Sequence, residues 1–496
     1  MSSNLDKLNQ RLAEVNALHA AQSMMDWDHQ CYMPKKGAEA RGDHLSVLSK
    51  MSHELFTSDE TQRFLEDAGK EVAPDSDDEA LVRNVRRSMD QSTKLPSEFV
   101  VRQSLAHTAG HEKWVHARKN NDFGHFAGAL ETNFDLAREQ AELLGYQDHI
   151  YDALLDLYEE GGRAADCTRM FDTLRGPTVE LVKAITESGN QPDISYLTGD
   201  WDETKQKNLT EFVAKSFGFD FDRGRQDPAQ HPFCTGWSIN DTRITTRYTD
   251  FLPSSLFSTM HETGHALYEM GTPEAWDRTP LGGGVSLGVH ESQSRTWENI
   301  VGRSKAFVSW LRPKLVETFP QLAAIDEATM YRGFNKVEAS LIRVEADEVT
   351  YNLHVMTRFE LECDLLTNKL AVKDLPEAWN AKYKEYLGVD VPSDSDGCLQ
   401  DVHWSAGLIG YFPTYTMGNL LSYQFWNLLK ADLGDVDALM AKGDFAPIHE
   451  WLRTNIYSRA SRYQPKELVQ MVTGKPIGAD DYVAALNKKY KDVYSL

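Results

Sequence analysis

The sequence predicts a mainly α-helical protein with one small β-sheet. Three observations carry that expectation. Apolar residues recur at helical spacing over most of the chain. Only Phe233 to Tyr248 shows short, alternating, β-branched runs. The chain has 496 residues, 41% hydrophobic and 26% charged, which suits a large globular core. No internal repeat or low-complexity linker interrupts it.

Leu8, Leu12, Val15, Leu18, Ala21 and Met25 mark a first helix between Leu5 and Trp27. Cys31 to Gly37, with Pro34 inside, breaks it, and a second helix resumes near Ala38. Long amphipathic stretches then run to about Glu187. The acidic run Pro74–Glu79 and the turn Lys94-Leu95-Pro96-Ser97 separate them. Such a charge run is expected to be a solvated loop. Loop signals at Asn190–Asp193 and Thr198–Trp201 precede a helix from about Thr204 to Ser216. Thr242–Tyr248 is the best strand candidate, and Asn240-Asp241 is the turn of a hairpin. That hairpin is either structural or a strand edge that binds an extended peptide. Ser254–Met270 reads as a helix, with Pro253 and Ser254 at its start and Gly271 at its end. Gly282-Gly283-Gly284 follows, and Trp297, Ile300 and Val301 continue another helix. The rest is mostly helical. The break Val389–Gly397 leads into Cys398-Leu399-Gln400-Asp401-Val402-His403-Trp404.

Composition narrows the partners. The formal net charge is −23, which argues against nucleic acid or an anionic membrane as a partner. The N-terminus is polar and no apolar run reaches a membrane span of about 18 residues, so no secretory signal and no membrane partner is expected. The five cysteines are widely spaced and form no C-x-x-C pair. A reduced, cytoplasmic protein is the simplest account. Any metal site must then use histidine and carboxylate.

His261-Glu262-Thr263-Gly264-His265 supplies such residues. On a helix, residues four apart share a face, so both imidazoles point the same way. Two neutral imidazoles are two of the three protein ligands of a catalytic zinc. Glu262 is turned by about 100° from His261 and lies beside the site as a general base. The bland alternative is two histidines satisfied within a core. A third ligand must come from downstream. Glu291 and His290 both stand at the right distance in the chain.

Six segments carry a resemblance along essentially the whole chain. They are His231-Pro232-Phe233, Asp241-Thr242-Arg243-Ile244-Thr245, the pentapeptide, His290-Glu291-Ser292-Gln293, Ile342-Arg343-Val344-Glu345-Ala346-Asp347 and Gly397–Trp404. In that order they resemble the carboxypeptidase Taq family of metallocarboxypeptidases. The resemblance implies a nearly all-helical gluzincin peptidase fold, a single domain over residues 1–496 with two helical lobes around a deep groove. It implies a homodimer that releases single residues from peptide C-termini with broad preference, proline excepted. It implies Zn²⁺, with Co²⁺ as a substitute or better activator.

Mapped onto this chain, the resemblance points to His261, His265 and Glu291 as ligands and Glu262 as base. His403 stands in the family motif as an oxyanion donor, with Tyr415 as a second donor and Tyr411 as its alternative. Arg343 is the family-matched partner for the substrate carboxylate, since a guanidinium binds a carboxylate through two parallel hydrogen bonds. Its structural alternative is an ion pair with Glu345, Asp347 or Glu348. His231, Asp241 and Arg243 are expected along the substrate groove. The competing activity is that of a metallo-oligopeptidase or dipeptidyl carboxypeptidase. A non-catalytic zinc-stabilised protein would have no need of Glu262.

Overall fold

Helices occupy nearly every amphipathic stretch of the chain in the computed structural model, which describes residues 3–496. The first helix runs Asn4–Cys31. Ser3 starts it: its hydroxyl accepts from the Asp6 N–H, and the Asp6 carboxylate accepts from the Ser3 N–H. Leu8, Leu12, Leu65, Leu81, Val82 and Val85 form a small core of this helix with Asp59–Glu71 and Asp77–Lys94. A much larger core runs from Trp114 to Tyr494. Polar contacts tie the two together. Arg83 donates to the Arg462 carbonyl, and Asn84 to those of Ser461 and Pro280.

The acidic run differs from the expected loop. Ser76 caps the helix Asp77–Lys94, and Asp77, Asp78 and Glu79 form its first turn. Carboxylates are favourable there because the helix N-terminus is the positive end of its dipole.

The expected hairpin is present, inside a three-stranded sheet. Its strands are β1 (Gly224–Pro228), β2 (Cys234–Ser238) and β3 (Asp241–Thr246), in the order β1-β3-β2. β2 and β3 are antiparallel, with Cys234 opposite Ile244 and a bulge between Gly236 and Ser238. β1 runs parallel to β3 and was not legible in the sequence. It carries no apolar alternation. The Nε2 of its buried Gln226 donates instead to the Thr210 and Tyr248 hydroxyls, while its Oε1 has no partner.

The sheet lies on the helix Leu252–Met270, here the motif helix. Ile244, Phe219, Ala266 and Met270 form the apolar seam between them. Thr246 Oγ1 donates to the Ser255 carbonyl. Two further helices matter for the site: the glutamate helix, Leu287–Arg295, and the backing helix, Pro413–Leu433. No helix among the described residues is long and apolar enough to cross a membrane. All five cysteines are free thiols.

Candidate active site

Close backbone packing sets the site. The glutamate helix, capped by Ser286, lies between the motif helix and the backing helix. A Cβ on Gly264 would lie 2.5 Å from the Gln293 carbonyl oxygen, and one on Gly418 would lie 2.5 Å from Glu291 Cβ. Two glycines therefore let three helices approach to backbone contact. That spacing delivers Glu291 to the histidines.

His261 Nε2 lies 3.6 Å from Glu291 Oε2, and His265 Nε2 lies 3.4 Å from the same oxygen. Ligand atoms at about 2.0–2.2 Å from one tetrahedral ion are about 3.4 Å apart. One donor atom from each of His261, His265 and Glu291 lies within 4.8 Å of the others. Two imidazoles and one carboxylate at this spacing fit a divalent cation such as zinc.

Each of these three side chains is held from behind. His261 Nδ1 is 2.8 Å from Glu298 Oε2. Glu298 sits on a π-helical turn, Thr296–Val301, that extends the glutamate helix. His265 Nδ1 is 2.6 Å from His290 Nδ1, and His290 Nε2 is 2.7 Å from Glu269 Oε1. Both ring nitrogens of His290 are thus engaged away from the cluster. Arg295 donates to Glu291 Oε1 at 2.6 Å, and Ser294 Oγ to Glu291 Oε2 at 3.0 Å.

Burial works to raise the Glu291 pKa, but Arg295 and then His261 outweigh it and hold the carboxylate well below the usual range. Burial likewise opposes charge on His261, yet Glu291 and Glu298 raise it to about 9. At His265 burial prevails and lowers the pKa to about 4.

Glu262 behaves differently. It is 5% exposed and has no hydrogen-bond partner among the described residues. Burial raises its pKa to about 7, against the pull of His261. It is a buried carboxylate beside the cluster with no partner of its own.

Arg343, His403, Tyr411 and Tyr415 come together beside this cluster. His403 Nε2 is 3.3 Å from the Tyr415 hydroxyl, while its buried Nδ1 has no partner. The Tyr411 and Tyr415 rings meet edge to face at 5.2 Å. Burial, and then the charge of Glu291, raises the Tyr411 pKa.

Arg343 is buried. Its Nε and Nη2 pair with Asp401 Oδ1 at 2.9 and 2.8 Å, and its Nη1 donates to Tyr351 at 3.0 Å. Its carboxylate partner is thus Asp401. Of the three acids considered from the sequence, Asp347 accepts from Thr350 and nearby amides, and Glu348 holds Tyr423, Lys489 and Tyr490. Glu345 faces Arg247 at 4.0 Å. Arg358 binds the other oxygen of Asp401 at 2.6 Å. Burial, reinforced by Arg343, lowers the His403 pKa to about 4, so that ring is neutral near pH 7. Two guanidiniums therefore share one carboxylate, leaving one positive charge in excess.

Asp241 and Arg243 pair with each other at 2.8 and 3.0 Å. The Arg243 guanidinium lies between the Trp27 and Trp237 rings, at 4.3 and 4.5 Å. This pair clamps the first helix onto the sheet. His231 is exposed between β1 and β2 and makes no hydrogen bond among the described residues.

Sequence reasoning missed Glu298, Glu269, Arg295 and Tyr351. A signal existed for three of them. Glu269 follows His265 by four residues, and Arg295 and Glu298 follow Glu291 by four and seven, each on one helical face. Tyr351 carries no such signal. It stacks on Arg295 at 4.6 Å and links Glu291 to Arg343.

The thermostable carboxypeptidase 1 of Thermus thermophilus is 40% identical, over 97% of this chain and 96% of that protein. Carboxypeptidase 1 of Bacillus subtilis is 36% identical, over 98% and 97%. The crystal structure of the M32 carboxypeptidase from Deinococcus radiodurans superposes with a TM-score of 0.97 at 40% identity, over 99% of this chain and 100% of that one. The family profile described as Carboxypeptidase Taq (M32) metallopeptidase matches residues 7–490. The chain belongs to the carboxypeptidase Taq (M32) metallopeptidase family and is a metallocarboxypeptidase.

Proposed function

We propose that this protein is a zinc-dependent carboxypeptidase that removes single residues, with broad preference, from peptides bearing a free C-terminus. One observation carries the reading. Three ligand atoms converge beside Glu262, a buried carboxylate with no other partner. His261, His265 and Glu291 would hold the ion. When bound, the ion supplies Lewis-acid activation of water and of the scissile carbonyl. Cobalt would serve in its place.

The chain's own groups do the rest. Glu262 accepts the proton of the attacking water and passes it to the leaving amine nitrogen. His403, neutral and with the part-buried Nε2 beside the Tyr415 hydroxyl, donates toward the developing oxyanion, with Tyr415 as second donor and Tyr411 as the alternative. The excess positive charge at Arg343, Arg358 and Asp401 attracts the terminal carboxylate, with Arg343 the contact group. Asp241 and Arg243 shape the wall from behind, and His231 stands at the outer part of the groove. The whole chain works as one domain of two helical lobes around that groove, as a homodimer in the cytoplasm. Nucleic acid and membrane play no part.

Chelation should abolish hydrolysis, and zinc or cobalt should restore it. Mass spectrometry of a short peptide digest should then show a ladder of single-residue losses from the C-terminus. Full activity in metal-free protein, or loss of dipeptides or internal fragments, would overturn the reading.

A further inference from the structure

We infer that His290 and Glu269 form a hydrogen-bonded relay that sets the metal-binding tautomer of His265, with the Gly282–Gly284 loop as its mould. The inference rests on the metal site proposed above.

The geometry gives every hydrogen bond a direction. His265 turns Nε2 toward Glu291, at 3.4 Å. A metal on Nε2 uses that lone pair, so a neutral ring carries its proton on Nδ1. Nδ1 is 2.6 Å from His290 Nδ1, which must then accept. A neutral His290 that accepts at Nδ1 carries its proton on Nε2. That nitrogen is 2.7 Å from Glu269 Oε1, a carboxylate oxygen that only accepts. The chain from ligand to carboxylate is thus polarised one way. His261 has the shorter version, with Glu298 directly behind it.

The surroundings hold this relay and little else. A Cβ on Gly284 would lie 2.5 Å from His290 Cδ2. The Gly284 N–H donates to Glu269 Oε1 at 3.3 Å, the oxygen that His290 uses. The Tyr268 ring packs against His290 at 5.2 Å, and its hydroxyl accepts from the Val285 N–H. The triple-glycine turn therefore closes on the imidazole where no side chain fits. Glu269 ends the relay at a cavity of about 240 Å³ lined also by Asn16, His19 and Trp237, its side chain one-third exposed. His290 and Glu269 are positioning residues, since neither touches substrate or ion.

The test is metal affinity, measured by competition with a coloured chelator for Zn²⁺ and for Co²⁺. Loss of such an outer hydrogen bond lowers affinity by about 10- to 100-fold. His290→Phe keeps a ring and loses both nitrogens, so that loss is expected. His290→Asn places a carbonyl oxygen where Nδ1 stood and should keep most of the affinity. Glu269→Ala, at the exposed end, should weaken affinity in the same direction as His290→Phe with less risk to folding. Gly284→Ala should do the same by displacing the ring. Circular dichroism and melting of the metal-free proteins check folding. Equal affinity in parent, His290→Phe and Glu269→Ala would overturn the relay, as would Asn failing as badly as Phe in folded protein. If the parent itself takes up no stoichiometric metal, the metal site fails rather than the relay.

Discussion

Replacing Arg343 with alanine removes the one cation in excess at the Asp401 cluster. Two guanidiniums face one carboxylate, and His403 is neutral beside them. After the substitution Asp401 keeps Arg358, at 2.6 Å, and the cluster has no net charge. Breaking an isolated buried ion pair costs about 3–5 kcal/mol. Here the cost to folding should fall below that range, because Asp401 is not left alone. A charged, bidentate hydrogen bond contributes about 1.5–3 kcal/mol. At about 1.4 kcal/mol per decade, kcat/KM for a free-acid peptide should fall about tenfold to a hundredfold. The C-terminally amidated peptide should be poor with the parent and lose much less on mutation. Arg343→Lys should recover only part, since an ammonium has charge without the fork. The assay is a two-by-two comparison of parent and Arg343→Ala against acid and amide peptides, with folding checked by circular dichroism. Equal losses on both peptides would refute the reasoning and leave Arg343 as a wall residue. Arg247, whose buried Nε has no partner, would then be the guanidinium to test.

Three further outcomes are expected. Glu262→Gln should keep bound metal and lose about 10²–10⁴-fold in kcat, while Glu291→Gln should lose metal; equal metal loss in both, by elemental analysis, would sink the role assignment. His403→Phe should lower kcat by about 10²–10³ with metal content unchanged, whereas a change confined to KM would make it a ground-state contact. Glu362, buried under Tyr151, Trp404 and the Gly410 N–H, has its pKa raised by burial from 4.5 to about 7. A raised carboxyl pKa means the folded state holds the proton more tightly, so its contribution is full below 4.5 and is lost as pH rises through about 7. At about 1.4 kcal/mol per pKa unit that is about 3.5 kcal/mol at most. Glu362→Gln should therefore flatten the fall in Tm between about pH 5 and about pH 8, and an unchanged slope would rule Glu362 out as its source.

The helices were legible because burial of one face leaves a spacing in the sequence, and the Asn4–Cys31 and Glu203–Phe217 helices fall within a few residues of their expected ends. β1 was hidden because its burial is polar, with Gln226 bonded to Thr210 and Tyr248 rather than packed among apolar side chains. The pentapeptide showed two donors on one face, since helical geometry alone aligns His261 with His265. The partners of Arg343 were hidden for a different reason. Asp401 stands 58 residues downstream, and no local rule connects positions so far apart. Local spacing suggested Glu345, Asp347 or Glu348, and the chain used those for other contacts. The carboxylates behind His261 and His290 lie between these cases: Glu298 and Glu269 sit at helical spacing, but many glutamates do.

Gly264 and Gly418 make the position of Glu291 a matter of distance between helix axes, not of loop conformation. A cation held by His261 and His265 on one helix and Glu291 on the next would act as a cross-link between segments more than twenty residues apart in sequence. Its binding energy would then count toward folding, by about 2.7 kcal/mol at a hundredfold excess over its dissociation constant. The melting temperature would follow the free concentration of the ion, and a protein stripped of metal would be less stable as well as inactive. Any side chain at Gly418 would push against Glu291 and loosen that cross-link from a helix that contributes no ligand.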